Sequence, residues 1–235
     1  MASKDQSFYI NASFIQGYDH ALSFIVAQDP MEHTTNEFWW MIVEHSVKTL
    51  VVLSELGDGQ SKCHCYWPAD EFDCDQLKVK LIEEEMSQYY TKRVFSLISK
   101  KVCEDCGSCP VKCVHSLMNA FPASPQSTGE PHTVIQYQFL AWKSGVVPES
   151  TVALFTLVDA VLTNNATSSS PLLVHCSGGG DRSSVFVAFA SLVKQLRLEE
   201  RLDIFQTARY TRSQRQCMLK TIVSLLRQGG GEDVY

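Results

Sequence analysis

The chain has 235 residues, of which 45% are hydrophobic and 20% charged, and its formal net charge is −6. This length and composition predict one globular domain, and no apolar run approaches the roughly 20 residues of a membrane-spanning helix. The acidic balance, with no Lys/Arg stripe interleaved with aromatic residues, argues against a nucleic-acid partner. We expect a single domain over residues 1–228 and a flexible tail over 229–235.

The first residues lack the apolar stretch of a secretory signal peptide, so we expect a cytoplasmic location. The nine cysteines are an odd number in a large chain, which favours free thiols in a reducing compartment over a disulfide scaffold. Ordinary thiols are predicted at Cys63, Cys65, Cys74 and Cys217.

The first half of the chain shows alternating strand and helix patterns. Residues 8–15 and 22–27 are aromatic and β-branched, which predicts a hairpin-like strand pair. A capping-type sequence near Thr34 and apolar residues at helical spacing predict an amphipathic helix. Residues 49–53 are continuously apolar, as is typical of a strand buried on both faces. Further strands are predicted at 77–82, 93–98 and 134–142.

A segment rich in cysteine, proline and serine follows at about residues 102–130 and predicts a surface insertion. Four of its cysteines have the spacing of a bacterial iron–sulfur run, and they would equally suit one tetrahedral zinc ion. They are Cys103, Cys106, Cys109 and Cys113. A loop of free thiols is the default prediction, and a zinc or iron–sulfur site is the alternative.

The last third of the chain predicts helix, strand and helix in turn. Residues 151–162 have an apolar helical period, and a polar linker leads to a short buried strand at 171–175. Residues 183–196 are apolar on nearly all sides, which is typical of a central helix. Two more helices are predicted near residues 202–210 and 213–227.

The loop between that strand and the central helix carries the chemistry. Its glycines let backbone N–H groups turn toward one point, and the helix that follows adds the positive end of its dipole, so the loop can cradle a phosphate-sized dianion. Arg182 can grip two phosphate oxygens, and Cys176 is positioned for in-line attack on phosphorus as a thiolate. Ser183 would hydrogen-bond the sulfur as it leaves. The loop itself comprises Ser177, Gly178, Gly179, Gly180 and Asp181.

The sequence from His175 to Ser183 resembles the H-C-x-x-G-x-x-R-S/T signature of the protein tyrosine phosphatases. Gln28-Asp29-Pro30, followed by Thr34 and Phe38-Trp39, is similar to the family's Q-G-P-x-x-x-T-x-x-x-F-W segment. Three other segments agree in order and spacing: residues 9–18 with Y-I-N-A-S-F-I-x-G-Y, residues 62–68 with K-C-x-x-Y-W-P, and residues 202–206 with the helix after the catalytic one.

The resemblance implies an α/β fold with a twisted mixed β-sheet flanked by helices on both faces. It also implies hydrolysis of phosphotyrosine through a phosphocysteine intermediate and no cofactor. His175 is expected to orient the loop by hydrogen bonding. The substrate-stacking K-N-R-Y loop of the family would lie upstream of residue 1, so we expect the chain to be part of a longer polypeptide.

Three positions depart from the family pattern. Ser144 stands where the family carries its general-acid aspartate, and a serine hydroxyl is too weak an acid for that task. Lys220 stands at the water-orienting glutamine and cannot accept a proton from water as an amide oxygen would. Asp181 replaces a loop glycine beside Arg182, where a carboxylate would pair with the arginine or repel the anion.

These departures resemble the second, membrane-distal domain of tandem receptor tyrosine phosphatases. The hypothesis is a domain with weak or absent hydrolysis that binds phosphotyrosine proteins or regulates a neighbouring phosphatase domain in the intracellular part of a membrane receptor. Two alternatives stay open: an active tyrosine phosphatase that tolerates the substitutions, and an interaction module whose anion loop is vestigial.

Overall fold

The structure is a computed structural model, and it describes residues 9–19, 23–57, 62–74, 77–99, 131–142, 148 and 150–219. The predicted Cys-rich insertion and the predicted tail lie outside these residues. In the described part of the chain, no helix combines the length and apolar character needed to span a bilayer.

Eight strands in the described residues form one mixed sheet. In chain order they are β1 (Ala12–Gln16), β2 (Ser23–Gln28), β3 (Thr49–Val52), β4 (Glu71–Cys74), β5 (Leu77–Met86), β6 (Tyr90–Ser99), β7 (His132–Phe139) and β8 (Leu172–Cys176). Their order across the sheet is β1-β2-β8-β3-β7-β6-β5-β4. The four central strands β2, β8, β3 and β7 are parallel, and antiparallel pairs complete both edges.

Helices cover both faces of this sheet, which confirms the fold class that the sequence predicts. They are α1 (Thr35–Glu44), α2 (Thr151–Asn164), α3 (Asp181–Glu199) and α4 (Ile204–Gln214). The α1 helix packs on one face, while α2 and α3 pack on the other. Side chains alternate between the two cores, as strand geometry requires: Val51 enters the core of α2 and α3, and Leu50 enters that of α1.

Local sequence sets the helix starts. Ser150 accepts a hydrogen bond from the Ala153 N–H at 3.2 Å before α2, and Asp203 accepts one from the Gln206 N–H at 2.9 Å before α4. Each side chain satisfies a donor that the first helical turn leaves without an intrahelical partner.

The predicted helix at 213–227 is wrong over the part that the structure describes. Ser213 and Gln214 belong to α4, which ends there because Arg215 adopts an extended conformation with φ −148° and ψ 121°. Residues 215–219 form a bend and turns. The rest of that predicted helix lies outside the described residues.

Candidate active site at the phosphate loop

Strand β8 delivers Cys176 to the carboxyl-terminal edge of the parallel part of the sheet. In the strand registers, Cys176 pairs with Gln28 of β2 and His175 with Val52 of β3. The residues that follow these neighbouring strands therefore lie beside the loop. Open α/β sheets bind ligands at this edge, outside the carboxyl ends of parallel strands.

The loop after Cys176 turns tightly into α3. The Gly179 N–H donates to the Cys176 carbonyl at 2.9 Å, and α3 begins at Asp181 with Gly180 as its N-cap. The first helical turn has N–H groups without intrahelical partners and the positive end of the helix dipole. Asp181 is exposed in this turn, where a carboxylate is favourable for the helix itself.

At two of the loop glycines, neighbouring backbone atoms leave too little room for a side chain. Gly179 has φ +62°, and a Cβ atom there would lie 2.7 Å from the backbone carbonyl of Ala27. A Cβ atom on Gly180 would lie 3.0 Å from the Cys217 carbonyl oxygen. The loop therefore packs against β2 on one side and against the segment after α4 on the other, while a Cβ atom on Gly178 would meet no described residue within 4 Å.

Arg182 is buried, with 4% of its surface exposed. Its Nη1 donates to the Trp142 carbonyl at 3.4 Å and its Nη2 to Ser54 Oγ at 3.3 Å. Both bonds are long, and a guanidinium carries five N–H donors in a planar fork. Donors therefore remain for an anion as far as the described residues show, and these two bonds hold the side chain in place.

The two serines after Arg182 have different surroundings. Ser184 Oγ donates to the Asp181 carbonyl at 2.7 Å and accepts from the Leu219 N–H at 3.0 Å. The Ser183 hydroxyl is buried and has no hydrogen-bond partner within the described residues. An unused hydroxyl in this position fits the predicted bond to the departing sulfur.

His175 is fully buried and hydrogen-bonded through both ring nitrogens. Its Nδ1 lies 2.6 Å from Asp29 Oδ1, and its Nε2 lies 2.7 Å from the Tyr66 hydroxyl. The Asp29 backbone N–H donates to the Cys176 carbonyl at 3.0 Å. The ring is thus fixed from two sides, and these contacts are a way in which His175 could orient the loop as predicted.

The Tyr66 hydroxyl extends this network beneath the sheet edge. It accepts a bond from Gln136 Nε2 at 3.4 Å, and Gln136 Oε1 accepts one from Arg93 Nη1 at 3.0 Å. Arg93 also pairs with Glu84 at 2.7 Å and lies over the Trp67 ring at 5.0 Å. Sequence patterns reveal none of these links, because their partners lie on separate strands and loops.

Cys63 lies close to the same network and is fully buried, whereas the sequence predicts an ordinary thiol that is partly buried beside Trp67. Burial raises the pKa of its thiol, and the nearby Asp29 carboxylate raises it further. Burial likewise raises the pKa of Tyr66 well above its ordinary value. Donor atoms of Asp29, Cys63 and His175 all lie within 4.8 Å of one another, so these residues could hold a metal ion.

The segment after α4 closes the far side of the loop. Arg215 donates to Asn11 Oδ1 at 2.8 Å and to Ser13 Oγ at 2.7 Å, which ties this segment to the first strand region. Cys217 Sγ lies 3.7 Å from the Gly179 carbonyl oxygen and 3.2 Å from Arg215 Nε. Arg215 matches the arginine of the family segment that contains residue 220, but the sequence does not predict this structural role.

The structure brings Cys176, Arg182, Ser183 and His175 together at one sheet edge. The predictions for Ser144, for Lys220 and for the metal site at Cys103, Cys106, Cys109 and Cys113 fall outside the described residues, so they stay predictions. The unforeseen neighbour is Asp29. Its only sequence signal is that it occupies the middle of the segment that resembles Q-G-P.

A parallel strand that ends in a buried cysteine, a tight glycine turn and a buried arginine on the next helix together define a phosphate-loop domain of the cysteine-dependent type. A family profile described as protein-tyrosine phosphatase matches residues 1–226. Tyrosine-protein phosphatase 69D of Drosophila melanogaster is 41% identical over 225 residues. The chain belongs to the protein-tyrosine phosphatase family.

Receptor-type relatives match over nearly the same span. Receptor-type tyrosine-protein phosphatase S of Gallus gallus is 32% identical over 92% of this chain, and receptor-type tyrosine-protein phosphatase zeta of Homo sapiens is 29% identical over 94%. The Drosophila protein is matched over 93% of this chain. The chain spans only 14%, 13% and 9% of the Drosophila, chicken and human relatives, respectively.

Proposed function

We propose that this domain binds phosphotyrosine or a related oxyanion in the loop over residues 176–182 and hydrolyses phosphate esters slowly or not at all. One observation carries the proposal. The nucleophile and the anion clamp, Cys176 and Arg182, are kept, while the sequence has Ser144 and Lys220 at the positions of the acid and the water-orienting glutamine. We therefore expect the domain to bind the anion while its hydrolysis is slow or absent.

Support for anion binding comes from the loop itself. Arg182 is buried and held by the Trp142 carbonyl and the Ser54 hydroxyl, so little side-chain ordering remains to be supplied when an anion binds. The N-terminal turn of α3 faces the same loop. These parts do not depend on Ser144 or Lys220.

Support for slow turnover comes from the two substitutions. Departure of the tyrosine leaving group needs a proton, and a missing general acid costs typically about 10² to 10⁴ in rate. In the second step an ammonium at residue 220 cannot orient water as an amide does. Such a domain would serve as a phosphotyrosine-binding or regulatory domain, as in the second domains of tandem receptor phosphatases.

The names of the relatives support a receptor context. Two of those described above are called receptor-type, and this chain matches a small part of each. We therefore propose that the domain belongs to the intracellular part of a membrane receptor, with phosphotyrosine proteins or a neighbouring phosphatase domain as partners.

Turnover and binding should be measured separately on a phosphotyrosine peptide. We expect slow or absent hydrolysis, peptide binding that survives Cys176→Ser, and a gain of about 10² to 10⁴ in rate for Ser144→Asp combined with Lys220→Gln. Arg182→Ala is the matched control, and it should lose peptide binding. Failure of the peptide and of vanadate to bind would instead support a non-catalytic interaction module.

An active phosphatase is the second candidate. The buried hydroxyl of Ser183, which has no hydrogen-bond partner among the described residues, favours it, because that group is suited to hydrogen-bond the sulfur during release. A trapped phosphocysteine at Cys176, together with turnover at a rate ordinary for the family, would support this candidate and contradict the proposal.

A further inference from the structure

We propose that Asp29, Cys63 and His175 form a binding site for a single zinc ion in the core, directly behind the phosphate loop. The site is separate from the Cys-rich segment over residues 102–130. It also does not depend on whether the loop hydrolyses phosphate.

The three residues converge from different elements of the fold. Asp29 follows β2, His175 lies in β8, and Cys63 lies in a loop where its N–H donates to the Glu55 carbonyl at 2.8 Å. One donor atom from each lies within 4.8 Å of the other two, and all three residues are buried. Donors around tetrahedral zinc stand roughly 3.3–3.6 Å apart, given bond lengths of about 2.0–2.3 Å. Small side-chain movements would therefore close the site.

Asp29 supplies the observation that points to a ligand. Its Oδ1 bonds His175, but its Oδ2 is buried and has no hydrogen-bond partner in the described residues. The residue is only 7% exposed. A buried carboxylate oxygen without a partner is unfavourable, and a cation coordinated at Oδ2 would satisfy it.

His175 already has the outer contacts of a metal ligand. Its Nε2 lies 2.7 Å from the Tyr66 hydroxyl, which is itself held by Gln136 Nε2 at 3.4 Å. On zinc binding, Nδ1 would give up its hydrogen bond to Asp29 and its proton, and Nε2–H would donate to Tyr66, so that the Nδ1 lone pair binds the ion. Metal-binding histidines are commonly held in this way through their second nitrogen.

The donor set of one sulfur, one nitrogen and one carboxylate suits zinc better than magnesium or calcium, which prefer oxygen ligands. Binding would displace the Cys63 thiol proton, and any proton on His175 Nδ1, to solvent, and no electron is transferred. A water or the second Asp29 oxygen would complete the coordination. Because the Asp29 N–H bonds the Cys176 carbonyl at 3.0 Å, the ion would adjoin the strand end where the phosphate loop starts.

The test uses the full chain with Cys103, Cys106, Cys109 and Cys113 all replaced by serine, so that the Cys-rich segment contributes no thiolate. Zinc is added to the folded protein and, separately, during refolding, because the site is enclosed. We expect one retained equivalent after dialysis. Cobalt in place of zinc should give thiolate-to-metal charge-transfer absorption.

Two variants in this background remove ligands, and two serve as matched controls. Cys63→Ser should abolish the cobalt charge-transfer band, and Asp29→Asn should weaken zinc binding at least about tenfold. Cys65→Ser, which removes an exposed thiol two residues away, should leave both unchanged. Cys176→Ser should also retain the ion, which distinguishes this site from binding at the nucleophile.

Three outcomes would overturn the proposal: no zinc bound in the four-serine background by either route, zinc retained in both Cys63→Ser and Asp29→Asn, or zinc lost in Cys176→Ser. Circular dichroism verifies that each variant folds. Should Cys63→Ser fail to fold, Asp29→Gly, which places the family's residue at that position, decides the question by the same dialysis measurement.

Discussion

Gly179 is the loop residue whose conformation leaves no room for a side chain. It has φ +62°, and the Ala27 carbonyl lies 2.7 Å from the position that a Cβ atom would take, so Gly179→Ala combines a left-handed backbone with a backbone clash. We expect a loss of about 1–3 kcal/mol from the conformation alone, and weaker vanadate binding because the loop must shift. Urea unfolding and vanadate titration measure these effects.

Gly178→Ala is the matched control for that prediction. A Cβ atom there would meet no atom of the described residues within 4 Å, so the stability of the variant should stay within about 0.5 kcal/mol of that of the parent chain. Equal stabilities of the two alanine variants would contradict the close approach between the loop and β2.

Tyr66 holds His175 through one hydroxyl, and Tyr66→Phe removes that group while keeping the ring. The change leaves His175 Nε2 and Gln136 Nε2 without the oxygen they contact at 2.7 and 3.4 Å. A buried polar group without a partner costs about 1–3 kcal/mol, and we expect a loss of that size in urea unfolding. Tyr9→Phe, on a side chain that is 77% exposed, should change nothing measurable. If Tyr66→Phe leaves the free energy of unfolding unchanged, this hydroxyl does not hold His175.

Among the structural elements, the segment after α4 is joined to the first strand region through Arg215. Its guanidinium donates to Asn11 and Ser13 at 2.8 and 2.7 Å. Since hydrogen bonds of charged groups contribute about 1.5–3 kcal/mol, Arg215→Ala should destabilise the domain by that amount in chemical unfolding. Arg212→Ala, at an exposed position of α4, is the control. Equal effects of the two substitutions would mean that the segment is held by other contacts.

Elements with strong periodicity could be predicted from sequence, and weakly patterned ones could not. The continuous apolar run at 49–53 became β3, and the apolar period after Thr34 became α1. Strand β4 was missed because it is a short strand at the edge of the described sheet, where it pairs with β5, and two of its four residues are exposed. The predicted helix start at residue 213 was wrong because Arg215 turns the chain toward β1, a contact that local sequence does not encode.

For the molecule as a whole, the candidate site also has parts that the sequence predicts and parts that only the folded chain reveals. Cys176 and Arg182 stand six positions apart in one loop, so their spacing alone predicts an anion site. His175 meets Asp29 across 146 residues and Tyr66 across 109. Such contacts arise only when β2, β8 and the loop before β4 are assembled, and no local period records them. The parts that bind the anion and the orienting role of His175 could therefore be predicted, whereas the two partners that hold His175 could not.

Two buried acids make the stability of the whole domain sensitive to alkaline pH. Burial raises the pKa of both Cys63 and Tyr66 in the folded state, whereas in the unfolded chain they lose their protons near about 8.5 and 10. Above those values the unfolded state binds fewer protons than the folded state, so the free energy of unfolding falls as pH rises. The stabilising contribution of both groups is fully present below about pH 8.5. Above its unfolded pKa, each group lowers the free energy of unfolding by up to about 1.4 kcal/mol per pH unit.

Urea unfolding between pH 7 and pH 11, with a chelator present, measures this dependence. Cys63→Ala should flatten the decline between about pH 8.5 and 10, even though the variant is less stable at neutral pH because a buried side chain is shortened. Cys65→Ala, which removes an exposed thiol, should keep the slope of the parent chain. If the two variants show the same slope, the Cys63 thiol is not the group that links folding to pH.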